Sequence, residues 1–212
     1  MSQKKILVAL STFGEYGDAP IRLLKESGYA YIINPLKKRM TKEEIIEMGK
    51  DCEGIIAGVE PYDEDVLGHL PKLRCISRAG VGIENIALQK AKEKGILILN
   101  TVEVVVQPVV ELTVAMIFDL LRKLSYHTAL MRAKRWEKKA GYLLVGRKIG
   151  IIGLGRIGKK VAEVLKTLGA EVSGYDPFPD RQWAQAHGID ILPCEQIVQK
   201  SEILSLHLSI IP

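Results

Sequence analysis

The sequence has few cysteines and no long apolar run. Its three cysteines, Cys52, Cys75 and Cys194, are odd in number and lack C-x-x-C spacing, which argues against a disulfide framework and a zinc site. We therefore expect reduced thiols in a cytoplasmic protein. No apolar run approaches the about 20 residues that span a bilayer. The run 6–10 is also too short for a signal peptide, so we expect no membrane partner.

The sequence also has no large excess of charge of either sign, since it contains 30 Lys+Arg and 25 Asp+Glu. Part of the small positive excess forms a basic cluster, which consists of Arg132, Lys134, Arg135, Lys138, Lys139, Arg147 and Lys148. Such a cluster is able to bind a polyanion, but no aromatic ladder or nucleic-acid motif accompanies it. A solvated helix face and linker is the simpler interpretation, so we expect no nucleic-acid partner.

The first hundred residues contain short apolar runs that alternate with helix-like segments. The runs are 6–10, 29–33, 54–59, 73–77 and 96–99. Their Ile, Val and Leu content is typical of parallel strands that are buried on both faces. Between them, Thr41 and Glu44 form a capping-box pattern, and a helix is predicted over 84–94 with Gly95 as its stop. Five strands with intervening helices predict a flavodoxin-like α/β domain.

The middle of the chain reads as two helices, and a second α/β unit follows them. Apolar residues over 109–124 fall three and four apart after Pro108, and a second helix is predicted over 125–136. A connector over 141–146 leads to a second α/β unit. Its predicted strands are 149–152, 171–175, 189–192 and 203–207.

The pattern G-x-G-x-x-G, formed by Gly153, Gly155 and Gly158, follows the strand 149–152 and opens a predicted helix over 159–168. The next strand ends in Asp176, 18 residues after Gly158. This order predicts a dinucleotide site: the glycines allow a tight turn, close approach of the pyrophosphate and close helix packing. Asp176 favours NAD over NADP, and Arg181 is expected on a solvated turn. A glycine-rich turn that only makes a corner is the alternative.

Five sequence blocks together resemble one known family. They are ISRAGVGIENI (76–86), GILILNT (95–101), ELT (111–113), GRKIGIIGLGRIG (146–158) and SLHL (205–208). The chain is similar to the D-isomer-specific 2-hydroxyacid dehydrogenases, in particular to the phosphoglycerate dehydrogenase-like members. The resemblance implies an NAD-dependent oxidoreductase that acts on the CH–OH group of a D-2-hydroxy acid.

The resemblance also implies a domain order and site residues. It assigns a flavodoxin-like substrate domain to 1–100, connecting and dimerisation helices of a homodimer to 101–147, and the first part of a doubly wound, parallel Rossmann domain to 148–212. The residues implied to contact NAD are Gly153, Gly155, Arg156, Ile157, Gly158, Asp176, His207 and Leu208. Those implied to offer backbone N–H groups to the substrate carboxylate are Arg78, Ala79, Gly80, Val81 and Gly82. A plain strand-to-helix turn is the alternative for the second set.

Departures from the family pattern are as informative as the matches. The catalytic Arg, His and Glu of the family lie downstream of the fourth nucleotide-domain strand, so we assign no catalytic residue and expect this chain to be inactive alone. Val105 stands where an Asn often binds substrate. Smaller departures are Glu84 for Asp, and Ser209 and Ile211 for Pro and Thr. A catalytically inactive nucleotide-binding or regulatory protein is the alternative function.

Overall fold

The computed structural model describes residues 4–208, which form two compact units divided between Glu103 and Val104. Each unit has its own parallel sheet and its own apolar core. The predicted α/β fold class is confirmed. Ser209 and Ile211 lie outside the described residues.

The first unit is a five-stranded parallel sheet in the order β2-β1-β3-β4-β5. Its strands are β1 (Lys5–Val8), β2 (Ala30–Ile33), β3 (Gly54–Ala57), β4 (Cys75–Arg78) and β5 (Leu97–Asn100). Its helices are α1 (Ala19–Glu26), α2 (Lys42–Gly49), α3 (Glu64–Gly68) and α4 (Leu88–Glu93). This strand order is that of the flavodoxin-like fold.

The central strands of this sheet are buried as predicted, whereas the edge strand β5 is not. Leu7, Ile55 and Ile76 of β1, β3 and β4 have at most 1% of their surface exposed. In β5, Leu97 and Leu99 are about half exposed at 56% and 49%. The prediction of burial on both faces is therefore wrong for β5, because this strand pairs on one side only.

Local sequence signals set two of the helix ends in the first unit. Thr41 Oγ1 accepts from the Glu44 N–H at 3.4 Å while the Glu44 carboxylate accepts from the Thr41 N–H at 2.8 Å, which is the predicted capping box. Gly95 ends α4 with φ +67°, as a C-cap glycine does. The helix predicted over 84–94, however, begins only at Leu88. Residues before it pair with Tyr62 instead, through backbone bonds of 2.8 and 2.9 Å.

The second unit is a four-stranded parallel sheet in the order β8-β7-β6-β9. Its strands are β6 (Lys148–Ile152), β7 (Glu171–Tyr175), β8 (Asp190–Ile191) and β9 (Ile203–Leu206). Its helices are α5 (Val106–Arg122), α6 (Leu124–Arg132), α7 (Arg156–Thr167), α8 (Arg181–His187) and α9 (Cys194–Lys200). The chain runs outward from β6 to β8 and then crosses to β9, which is the first half of a Rossmann sheet plus the strand beyond its switch point.

In the second unit, the ends of two helices and the place of Arg181 differ most from the predictions. Helix α6 ends at Arg132 rather than at Trp136. Helix α7 begins at Arg156, three residues early, because Gly155 already serves as its N-cap. Arg181 is not on a turn but opens α8, because the Asp180 carboxylate accepts from the Trp183 N–H at 3.0 Å and so caps this helix.

The core of the second unit joins the inner face of its sheet to α5 and α7. Ile149 and Ile151 of β6 are fully buried against Leu165 of α7 and Ile117 of α5. At one edge of the sheet, the strand β9 pairs with β6 alone. Alternate side chains of β9 are exposed: Leu204 is half-exposed and Leu206 is largely exposed.

The described residues show neither a membrane span nor a metal cluster. No helix within residues 4–208 has the length and apolar content for crossing a bilayer. In the same range, no three His, Cys, Asp or Glu side chains come together as a metal ion would need. Cys52, Cys75 and Cys194 are free thiols, and burial raises the pKa of Cys52 and of Cys75.

Candidate functional site

The turn at the carboxyl end of β6 requires glycine at its first position. Gly153 has φ +95° and donates its N–H to the Tyr175 carbonyl oxygen at 2.8 Å. A Cβ at this position would lie 2.3 Å from the carbonyl oxygen of His207. Both the backbone conformation and the lack of space therefore exclude a side chain.

The other two glycines of the motif differ in what surrounds them. A Cβ on Gly158 would lie 1.9 Å from the Gly153 carbonyl oxygen, so this position holds α7 close to the turn. A Cβ on Gly155 would meet nothing within 4 Å, so it faces open space. Gly155 is the N-cap of α7 and supplies no side-chain acceptor for the first-turn N–H groups. Free donors beside open space at a helix N-terminus fit the pyrophosphate of a dinucleotide.

The residues that follow Gly155 begin α7 and flank these donors. Arg156 is exposed and Ile157 is half-buried, with its side chain against the core of the second unit. The expected positions of both along the pyrophosphate stay predictions.

Asp176 lies at the carboxyl end of β7, next to the turn 153–155 between β6 and α7, which we call the glycine turn. Its Oδ2 accepts from the Leu154 N–H at 2.8 Å, and its Oδ1 accepts from the Phe178 N–H at 2.9 Å. Each carboxylate oxygen keeps a second lone pair, so the group is able to accept ribose hydroxyls as well. The bond to Leu154 is a role that the sequence did not reveal, because it depends on β6 and β7 being neighbours in the sheet.

The end of β9 completes the surroundings of the turn. His207 donates its N–H to the Ile152 carbonyl oxygen at 2.8 Å, and its Nε2 lies 2.9 Å from Ser205 Oγ. Burial lowers the pKa of His207, which favours the neutral ring. Leu208 follows as an exposed side chain. The structure thus brings Gly153, Asp176 and His207 to one edge of the sheet.

The other histidines lie away from this edge. His187 ends α8, and since α8 leads from β7 to the start of β8, this residue lies at the amino edge of the sheet. There its Nε2 is 3.5 Å from the Glu163 carboxylate. His69 follows α3 on an exposed turn, and His127 lies within α6. Among residues 4–208, therefore, no histidine with a carboxylate partner lies at the edge of the glycine turn.

The predicted substrate loop, residues 78–82, begins at the last residue of β4 in the first unit. The Ala79 N–H donates to the Ala57 carbonyl oxygen and the Gly80 N–H to Thr101 Oγ1, both at 2.8 Å. The Arg78 guanidinium donates to the Ala79 carbonyl oxygen. The N–H groups of Ala79 and Gly80 thus make bonds within the structure, and the expected contacts of the loop with a substrate stay predictions. The donors left without a bond to another described residue are those of Val81 and Gly82.

The neighbouring turn, after β3, contains a residue that the sequence analysis missed. Glu60 is only 3% exposed, and its Oε2 accepts from the Gly58 N–H at 2.7 Å. The Asn85 side-chain amide donates to the carbonyl oxygens of Gly58 and Glu60, at 3.2 and 2.6 Å. The available signal was an acid directly after a buried run, within the G-V-E-P segment 58–61.

Comparison with known proteins gives the family. Residues 114–212 match the family model of the D-isomer specific 2-hydroxyacid dehydrogenase, NAD binding domain. The chain is also 34% identical over 212 residues to D-3-phosphoglycerate dehydrogenase of Homo sapiens, which covers 99% of this chain. Residues 114–212 therefore belong to the NAD-binding domain of the D-isomer-specific 2-hydroxyacid dehydrogenase family. The predictions of this family and of an NAD-binding domain are confirmed.

A second relative is similar to this chain, and a solved structure shares its fold. D-3-phosphoglycerate dehydrogenase of Methanocaldococcus jannaschii is 32% identical over 91% of this chain. The chain spans 38% of the length of the human enzyme and 37% of the archaeal one. NAD+-bound 3-phosphoglycerate dehydrogenase of Entamoeba histolytica has the same fold, with a TM-score of 0.74 and 24% identity over 99% of this chain and 64% of that one.

Proposed function

We propose that this chain provides the nucleotide turn and the substrate loop of an NAD-dependent oxidoreductase that acts on the CH–OH group of a D-2-hydroxy acid. The observation that carries the proposal is the glycine turn, where bare N–H groups at Gly155 and the carboxylate of Asp176 flank one open edge. Bound there, the nicotinamide cofactor supplies the hydride acceptor or donor. The N–H groups of Val81 and Gly82 would hold the substrate carboxylate.

Cofactor preference tests this proposal. We expect the purified chain to bind NADH at least about tenfold more tightly than NADPH, because the Asp176 carboxylate repels a 2′-phosphate. The substitution Asp176→Asn removes that charge and should bring the two affinities to within about threefold, as measured by calorimetric titration.

The matched control for this titration is Asp190→Asn, which removes an exposed carboxylate at the start of the edge strand β8. It should leave the preference for NADH unchanged. A folded wild-type chain that binds neither nucleotide would contradict the proposed function.

A chain of these 212 residues should bind cofactor without turning over substrate. No histidine with a carboxylate partner lies beside the glycine turn in the described part of the chain, and the Nε2 atom of His207 lies 2.9 Å from Ser205 Oγ. A general acid–base group is needed to move the hydroxyl proton. The same observation, with Val105 in place of a polar residue, favours the second candidate, a catalytically inactive nucleotide-binding or regulatory protein. Turnover of any 2-hydroxy or 2-keto acid by the purified chain would contradict both expectations.

We also propose a cytoplasmic homodimer that associates through α5. Leu112, Met116 and Leu120 lie four residues apart on this helix and are 59%, 53% and 71% exposed. Side chains at this spacing form one apolar stripe, which a partner surface would cover.

Sedimentation equilibrium tests the homodimer. The substitution Leu120→Glu places a charge in the stripe and should weaken self-association at least about tenfold. Gln185→Glu, on the exposed face of α8, adds the same charge elsewhere and should have no effect. A wild-type chain that stays monomeric at all concentrations would rule the dimer out.

A further inference from the structure

We propose that Glu60 restricts the substrate to a 2-hydroxy acid with one anionic group, its carboxylate, and disfavours acids that carry a second anion such as a phosphate. The inference rests on the proposed function, because it concerns the same substrate loop. It makes Glu60 a specificity-determining residue.

Glu60 is unusual among the acids of this chain because it is buried without a cation. It is the one charged residue among the buried side chains of residues 4–208, at 3% exposure. No Lys, Arg or His of the described residues forms an ion pair with it, and its Oε2 accepts from the neutral Gly58 N–H. A buried charge that lacks an opposite charge costs stability, so a selective reason for keeping it is expected where ligands bind.

The position of Glu60 is next to the substrate loop. Ala57 and Arg78 are the last paired residues of β3 and β4, and the Ala79 N–H donates to the Ala57 carbonyl oxygen at 2.8 Å. Gly58 therefore lies one strand spacing, about 4.8 Å, from the start of the loop. The Glu60 carboxylate is 2.7 Å from the Gly58 nitrogen. Its charge consequently acts on any ligand held at the carboxyl end of β4.

The surrounding contacts keep the carboxylate in this place. Asn85 ties the carbonyl oxygens of Gly58 and Glu60 to the segment after the substrate loop. Tyr62, two residues after Glu60, is fully buried. Burial and the nearby charge of Glu60 both raise the pKa of Tyr62. The turn thus has little freedom to withdraw the carboxylate.

The charges of this edge favour one anion rather than two. Arg78 offers one guanidinium, which already donates to the Ala79 carbonyl oxygen. Two groups carry the opposite charge. They are the carboxylate of Glu60 and the exposed carboxylate of Glu84, which lies against Gly82. The loop N–H groups and Arg78 suffice for one substrate carboxylate, whereas a phosphate on the same small acid would meet a fixed like charge at short range.

The test compares two acids by NMR titration of the 15N-labelled 212-residue chain at constant ionic strength. The amide signals of Val81 and Gly82 should respond to D-lactate, and to 3-phospho-D-glycerate with at least about tenfold weaker affinity, a difference of about 1.4 kcal/mol. In Glu60→Gln the difference between the two acids should shrink to within about threefold. Glutamine keeps an oxygen for the Gly58 N–H, so this variant should fold.

The matched control is Glu64→Gln, which removes an exposed carboxylate in the first turn of α3 and should leave the ratio of affinities as in the wild type. Equal or tighter binding of the phosphorylated acid by the wild type would overturn the inference and leave the proposed function intact. An unchanged ratio in Glu60→Gln would do the same. If that variant does not fold, the wild-type ratio alone decides. No response to either acid would overturn the proposed substrate loop, and the inference with it.

Discussion

Alanine in place of Gly158 is expected to lower the free energy of unfolding of the second unit by about 2 kcal/mol or more. The added Cβ would lie 1.9 Å from the Gly153 carbonyl oxygen, a backbone atom that is held by the turn. Overpacking typically costs about 1–3 kcal/mol and occasionally more, and a contact at 1.9 Å with a backbone atom lies at the severe end of this range. The better helix propensity of alanine offsets about 1 kcal/mol of the cost.

Urea denaturation followed by tryptophan fluorescence measures this effect in the right unit. The two tryptophans of the chain, Trp136 and Trp183, both belong to the second unit. The control is the same substitution three residues earlier, Gly155→Ala, which meets no atom within 4 Å. It should cost less than about 1 kcal/mol, the usual effect of alanine at an N-cap. Equal stability of the two variants would show that α7 does not need close contact with the turn.

Gly155→Ala should instead abolish most of the nucleotide affinity, weakening NADH binding at least about tenfold. The Cβ would project into the open space beside the N-terminus of α7, where the pyrophosphate must approach the backbone N–H groups. Calorimetric titration with NADH, on the variant and on the wild type, gives the two dissociation constants.

The control for this measurement is Gly188→Ala, at the C-cap of α8 on the far edge of the sheet. This substitution is strained, since Gly188 has φ +62°, but it lies away from the glycine turn. It should therefore lower stability without changing the affinity for NADH at a temperature where the protein is folded. Unaltered NADH binding by Gly155→Ala would mean that the cofactor does not approach this turn.

The strands and the nucleotide turn were predictable because their signals are local. Continuous apolar runs such as 149–152 and 171–175 are typical of buried parallel strands, and the spacing of the glycines between them is typical of a dinucleotide-binding turn. Once the strands are ordered, Gly153 and Asp176 must fall at the same edge. The capping box of Thr41 is local in the same sense, and α2 begins where it predicts.

The parts that the sequence did not reveal depend on contacts between distant residues. The turn at 84–87 has helical composition, but its backbone pairs with Tyr62, some 25 positions earlier, and this pairing delays the start of α4 to Leu88. The turn that contains Glu60 is likewise held by the Asn85 side chain, and the Gly80 N–H donates to Thr101 Oγ1. Propensity and periodicity carry no information on such pairs.

The open side of β9 has a practical consequence for work with this polypeptide. Leu204 and Leu206 project from a strand whose outer N–H and C=O groups make no ladder with another described strand. Such an unpaired edge strand readily pairs with a strand of a neighbouring molecule, which leads to aggregation that increases with protein concentration. Dilute samples, or a lysine introduced at position 204, should keep preparations clear for the titrations described above.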